Sequence, residues 1–239
     1  MQPLDRDGNP SISGKIGFVC IGMSNASREF SRFIRLAGAD SRTNPGLCMV
    51  DAARNGATAT DIAMPAGEYW THVDAQLQHS EISPAQIQIV WLKSALGHES
   101  PGFPEKARQL QEALRSIVEI LRTKFTQLKL IYLSSRIYGG YSETDLSPEP
   151  IAYETAFAVK WLIEERINNA NADRRRPWIS WGPYLWADGL TPRSDGLVWE
   201  RSDFEPDGVH PSAEGALKVA TRLFEFFERD PIAQSWFFA

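Results

Sequence analysis

The decapeptide DFEPDGVHPS, residues 203–212, sets Asp207 three residues ahead of His210 and sets His210 directly before a proline. An imidazole in that setting can take a proton from an alcohol, while a carboxylate one turn away holds it in the required tautomer. The nucleophile must come from elsewhere, and Ser24 offers it. Ser24 follows the apolar run KIGFVCIG (15–22), and Gly22 allows a tight turn that would point the hydroxyl outward. Each residue alone has a plainer reading: Ser24 as a helix N-cap, Asp207 as a turn residue, His210 as a loop histidine. Ser212 reads as the cap of the last helix under either reading.

The elements around these residues decide whether they can meet. Near-continuous apolar runs at 15–22, 46–53, 87–93, 128–135 and 177–184 suit strands buried on both faces. Between them, Phe30, Phe33, Ile34 and Ala37 fall on one face of a helix after the first strand. The same periodicity predicts helices near 66–80, 104–124, 152–170 and 213–229, with Pro104 and Ser212 as start signals. Alternating strands and helices imply right-handed crossovers and a five-stranded parallel sheet in an α/β/α sandwich. Ligands then bind outside the carboxyl ends of the strands, where strand order reverses. Ser24 and the 203–212 loop fall on that rim.

Composition narrows the function classes. The 239 residues, 43% of them hydrophobic, suffice for a sizeable core and are read as one domain, with 1–14 as an irregular N-terminal extension. A net charge of −5 with interspersed signs gives no broad surface for nucleic acid. Arg174, Arg175 and Arg176 form the single basic cluster, read as a solvated loop. Cys20 and Cys48 sit in apolar runs and read as small packed hydrophobes. His98 and Glu99 lack the partners a metal site requires, and no P-loop or dinucleotide fingerprint occurs, so no cofactor or metal is implied. No run approaches the length of a membrane span. The opening MQPLDRDGNPSISG lacks the apolar stretch of a secretory signal, which leaves export after signal removal and a cytoplasmic location both open. Oligomeric state is not legible.

Taken together, IGMSN, VDAARNGATA and DGVHPS resemble the conserved blocks of the SGNH hydrolases, also called GDSL-like lipases and esterases. The resemblance runs along nearly the whole chain and implies the flavodoxin-like SGNH fold. It maps the nucleophile onto Ser24, the acid and base onto Asp207 and His210, and a backbone oxyanion donor onto Gly56, beside Ser24's own N–H. Two departures stand out. The usual aspartate before the serine is Met23, and the usual G-x-N-D after the third strand is replaced by WLKSA, which aligns Lys93 with the asparagine. The third oxyanion donor is therefore open among Lys93, Ser94 and Asn25; Lys93 also reads as a strand-end lysine that reaches solvent or pairs with Glu99.

On the substrate side, Arg136, Tyr138, Tyr141 and Trp186 lie in rim loops and suit a polar, ring-shaped ligand. The resemblance implies a serine esterase acting through an acyl-enzyme on short-acyl esters, with acetylated carbohydrates as the leading substrate. The rival reading is a non-catalytic glycan-binding module on the same fold.

Overall fold

The computed structural model describes residues 1–97, 101–169 and 177–239. His98, Glu99 and the Arg174–Arg176 run lie outside the described residues. Five strands form one parallel sheet in the order β2-β1-β3-β4-β5: β1 (Ile16–Gly22), β2 (Leu47–Asp51), β3 (Ile87–Lys93), β4 (Leu130–Leu133) and β5 (Trp178–Trp181). Strand order reverses between β1 and β3, so the carboxyl ends of these two strands open the crevice where such sheets bind ligands. β3 spans the whole of its predicted run and β1 all but one residue of its own, while β2, β4 and β5 are shorter than theirs.

Side-chain alternation along β1 assigns the two faces. Val19 and Ile21 point into a largely aliphatic layer with Leu110, Leu114, Ile117 and Leu162. That layer is covered by α2 (Ala59–Ile62), α3 (Glu68–His79), α4 (Glu105–Lys124) and α5 (Ile151–Asn168). Phe18 and Cys20 point the other way, under α1 (Ser24–Ala39), α6 (Ala213–Arg229) and α7 (Pro231–Phe237). This second layer is aromatic. Phe18 meets Phe30, Phe33, Phe227 and Trp236 edge-on at centroid distances of 5.1, 6.1, 5.5 and 5.6 Å, a geometry worth about 1 kcal/mol per pair beyond burial. Phe30 and Phe33 thereby fasten α1, the helix that Ser24 begins, onto the sheet.

The N-terminal residues are tied down at Leu4, which is buried and bridges to Pro10 and Lys15. The periodicity missed α2 and α7, because four and seven residues are too few to display a helical repeat. Among the described residues no helix is long and apolar enough to cross a membrane. Cys20 and Cys48 are both free thiols, the first buried and the second half-buried.

Candidate active site

Ser24 is the first residue of α1, and the N-cap position belongs to Met23, whose extended backbone turns the chain out of β1. The N-cap reading of Ser24 is thus corrected by one residue. Its hydroxyl is not spent on the helix end and lies 2.8 Å from His210 Nε2. His210 Nδ1 lies 2.6 Å from Asp207 Oδ2, while Asp207 Oδ1 accepts the backbone N–H groups of Val209 and His210 at 2.9 and 3.0 Å. A carboxylate holding Nδ1 leaves Nε2 as the acceptor facing the serine. Partial burial alone would raise the Asp207 pKa, but the ring and backbone hydrogen bonds of His210 and the N–H of Val209 outweigh it and hold it at about 2.

The histidine loop is braced from three sides. Asn25 Nδ2 donates to the Val209 carbonyl at 2.9 Å, which ties the loop to the start of α1. Ser212 Oγ accepts the Gly215 N–H at 3.2 Å, so the residue caps α6 as its place before the apolar periodicity suggests. Glu143 N–H donates to the Asp207 carbonyl at 3.1 Å, bringing the loop after β4 against the back of the turn. That close approach requires glycine at 208: its φ is +67°, and a Cβ there would lie 1.7 Å from the Tyr141 carbonyl oxygen.

Gly56 faces Ser24 from the loop after β2. Ala57 N–H returns to the Arg54 carbonyl in a tight turn whose third residue, Gly56, has φ +76°. Asp51 anchors this loop to α1 by accepting Ser27 Oγ at 2.6 Å, Ser31 Oγ at 3.0 Å and the Ala53 N–H at 3.1 Å. The Tyr69 hydroxyl reaches both the Gly22 and Ala52 carbonyls from below. Among the described residues, neither the Gly56 N–H nor that of Ser24 has an acceptor. The two donors border a cleft of about 380 Å³ whose wall also includes Ser24, Asn55, Leu96, Arg136 and His210.

The other sequence candidates divide. Lys93 is fully buried, with its ammonium 2.5 and 2.6 Å from the two carboxylate oxygens of Glu29 on α1. The expectations of an oxyanion donor and of a solvent-reaching lysine are both corrected: desolvation without a partner is too costly, and Glu29 supplies that partner in the interior. Desolvation pushes Lys93 below and Glu29 above their ordinary values, and their mutual attraction opposes both shifts. Ser94 is buried outside the cleft wall. Asn25 lines the cleft but commits an amide N–H to Val209.

Of the four substrate candidates, only Arg136 reaches the cleft. Tyr138 and Tyr141 pack edge-to-face at 5.2 Å, and the Tyr141 hydroxyl donates to the Trp199 carbonyl. Trp186 donates Nε1–H to Glu149 and packs on Tyr153. These three residues hold rim loops together and, against the expectation from sequence, do not form part of the wall of the cleft beside Ser24. Trp181, Tyr184 and Phe157 instead line a separate apolar cleft of about 410 Å³ whose lining includes none of Ser24, Asp207 and His210. Sequence reasoning missed Glu29, an acidic residue on the buried face of an otherwise apolar helix stripe. It also missed Ser147, a cleft residue with φ +55°.

No family model matches the chain, and no curated protein sequence matches it. Solved structures do. A carbohydrate esterase of family 3 from Talaromyces cellulolyticus superposes with a TM-score of 0.54 at 13% identity, covering 92% of this chain and 99% of the other. A protein from Bacteroides fragilis provisionally assigned as an acylhydrolase gives 0.50 at 13% identity, covering 90% and 87%. The chain therefore shares its α/β fold, a five-stranded parallel sheet flanked by helices, with these solved structures.

Proposed function

We propose that the protein is a serine esterase of the SGNH type. The reading is carried by one observation: a serine hydroxyl, an imidazole and a low-pKa carboxylate in unbroken hydrogen-bond sequence at the mouth of a cleft. Ser24 Oγ attacks the ester carbonyl as its proton passes to His210 Nε2. Asp207 orients the ring and stabilises the imidazolium. The carbonyl oxygen, now negative, is held by the N–H groups of Ser24 and Gly56, each worth about 3 kcal/mol of barrier. His210 then protonates the departing alcohol, and the acyl-enzyme is hydrolysed by a water that gives its proton to the same nitrogen.

A short acyl group on a carbohydrate is the substrate class we favour. The cleft of about 380 Å³ has room for an acetyl or comparable group beside the serine, and the fold is shared with a carbohydrate esterase. The test is hydrolysis of 4-nitrophenyl acetate by the wild type and by Ser24→Ala, with equal folding checked by circular dichroism. Wild-type turnover with loss of at least about 10⁴-fold in the variant supports the reading. Equal rates in the two proteins overturn it.

A further inference from the structure

Arg136 is a buried cation at the edge of the cleft to which, among the described residues, no carboxylate hydrogen-bonds. Its side chain is 3% exposed, its Nε has no hydrogen-bond partner, and Nη1 touches only the sulfur of Met23 at 3.5 Å. Buried guanidinium groups ordinarily meet a carboxylate, because desolvating a full charge without compensation is costly. Three carboxylates are near enough to influence this one, and each is committed elsewhere. Glu29 gives both oxygens to Lys93. Glu149 accepts the Gly139 N–H, the Tyr153 N–H and Trp186 Nε1–H. Asp207 serves His210 and Val209. Desolvation, the largest influence on Arg136, accordingly pushes its pKa down.

The cleft it faces is also one-sided in charge. Its described wall carries Arg136 and Arg28 and no carboxylate, in a chain whose net charge is −5. Arg28 is half-exposed and already paired with Glu205 at 3.2 Å, which leaves Arg136 as the buried cation of that wall whose N–H groups no described carboxylate accepts. A monoanion neutralises it, and a flat carboxylate matches the guanidinium fork with two parallel hydrogen bonds.

We infer that Arg136 is a specificity residue that receives a carboxylate of the substrate, so that the ester cleaved at Ser24 is an acidic one. The inference rests on the esterase reading for the scissile bond, but the anion site itself does not. Two substrates of similar length separate the effects: the 4-nitrophenyl monoester of glutaric acid and the neutral 4-nitrophenyl pentanoate. The wild type is expected to prefer the acidic ester in kcat/KM, and Arg136→Gln to lower that preference by at least about 30-fold, as expected for removing one partner of a buried charge pair. Arg136→Lys, which keeps the charge but not the fork, should retain part of the preference. Equal loss on both esters in both variants overturns the inference, because it would place the cation in general stabilisation of the fold or of the oxyanion.

Binding supplies a readout independent of turnover. Free glutarate is titrated calorimetrically into Ser24→Ala and into the Ser24→Ala, Arg136→Lys double variant, each checked for folding by circular dichroism. Weaker binding to the double variant supports the anion site even if the wild type hydrolyses neither ester, an outcome that would sink the esterase reading alone. Ester turnover combined with identical glutarate affinities sinks the anion site and leaves the esterase standing.

Discussion

Two charged assemblies sit a few residues apart at the carboxyl end of β1 and β3, and they are built on opposite principles. The series of Ser24, His210 and Asp207 lies at the surface of the cleft, where every member is part-exposed and His210 lies within hydrogen-bonding distance of both the Ser24 hydroxyl and the Asp207 carboxylate. The pair of Lys93 and Glu29 lies one layer deeper, with both side chains fully buried and both carboxylate oxygens on a single ammonium. The first is open to solvent and the second is not. A partly solvated group can change its charge during a reaction at modest cost, whereas a buried pair must stay ionised and intact. The difference teaches that a titratable residue aligned with a functional block can be structural, and that its burial decides which.

The comparison can be broken most sharply at the first of the two. Asp207→Asn should lower ester hydrolysis on the order of 10³-fold, because an amide presents the wrong tautomer of His210 to Ser24. Retained far-ultraviolet circular dichroism with lost turnover is the expected pattern, and near-wild-type rates would detach Asp207 from the chemistry. The interior pair should behave the other way. Lys93→Met leaves the Glu29 charge alone in the core and should cost about 3–5 kcal/mol in denaturant unfolding, while adding Glu29→Met recovers most of that loss. A single variant as stable as the wild type would contradict the buried pairing.

The smallest effect is on the acid side of the stability profile. Asp207 has a folded pKa of about 2 against an ordinary 3.8, so its contribution is fully present above about pH 4 and is lost as pH falls toward 2. Discounted for its exposure, the contribution is about 1 kcal/mol. The stability difference between wild type and Asp207→Asn should narrow by that amount between pH 5 and pH 2 in urea titrations. A gap that stays constant with pH would remove the low-pKa carboxylate from the account.

The parallel sheet was legible because doubly buried strands write continuous apolar runs and their helices write a 3.6-residue repeat. Ser24, Asp207 and His210 were legible for a different reason: a short D-x-x-H spacing and a serine at a strand end constrain geometry locally. Gly56 could be placed only through resemblance, since a single turn glycine carries no unique signal. Lys93 misled because sequence alignment reports backbone position, while the direction of a long side chain depends on a partner 64 residues earlier, Glu29. Tyr138, Tyr141 and Trp186 misled for a related reason. Rim aromatics suit ligands and loop packing equally, and here Tyr141 bonds to Trp199, Trp186 bonds to Glu149, and Tyr138 packs on the ring of Tyr141.

The central claim is that His210 activates Ser24, and covalent labelling with a fluorophosphonate tests it most directly. The account predicts a single phosphonyl adduct on the Ser24 peptide by mass spectrometry, formed at least about 10²-fold more slowly in His210→Ala, since the base supplies the activation. An adduct on another residue, or an unchanged labelling rate without the imidazole, would contradict it.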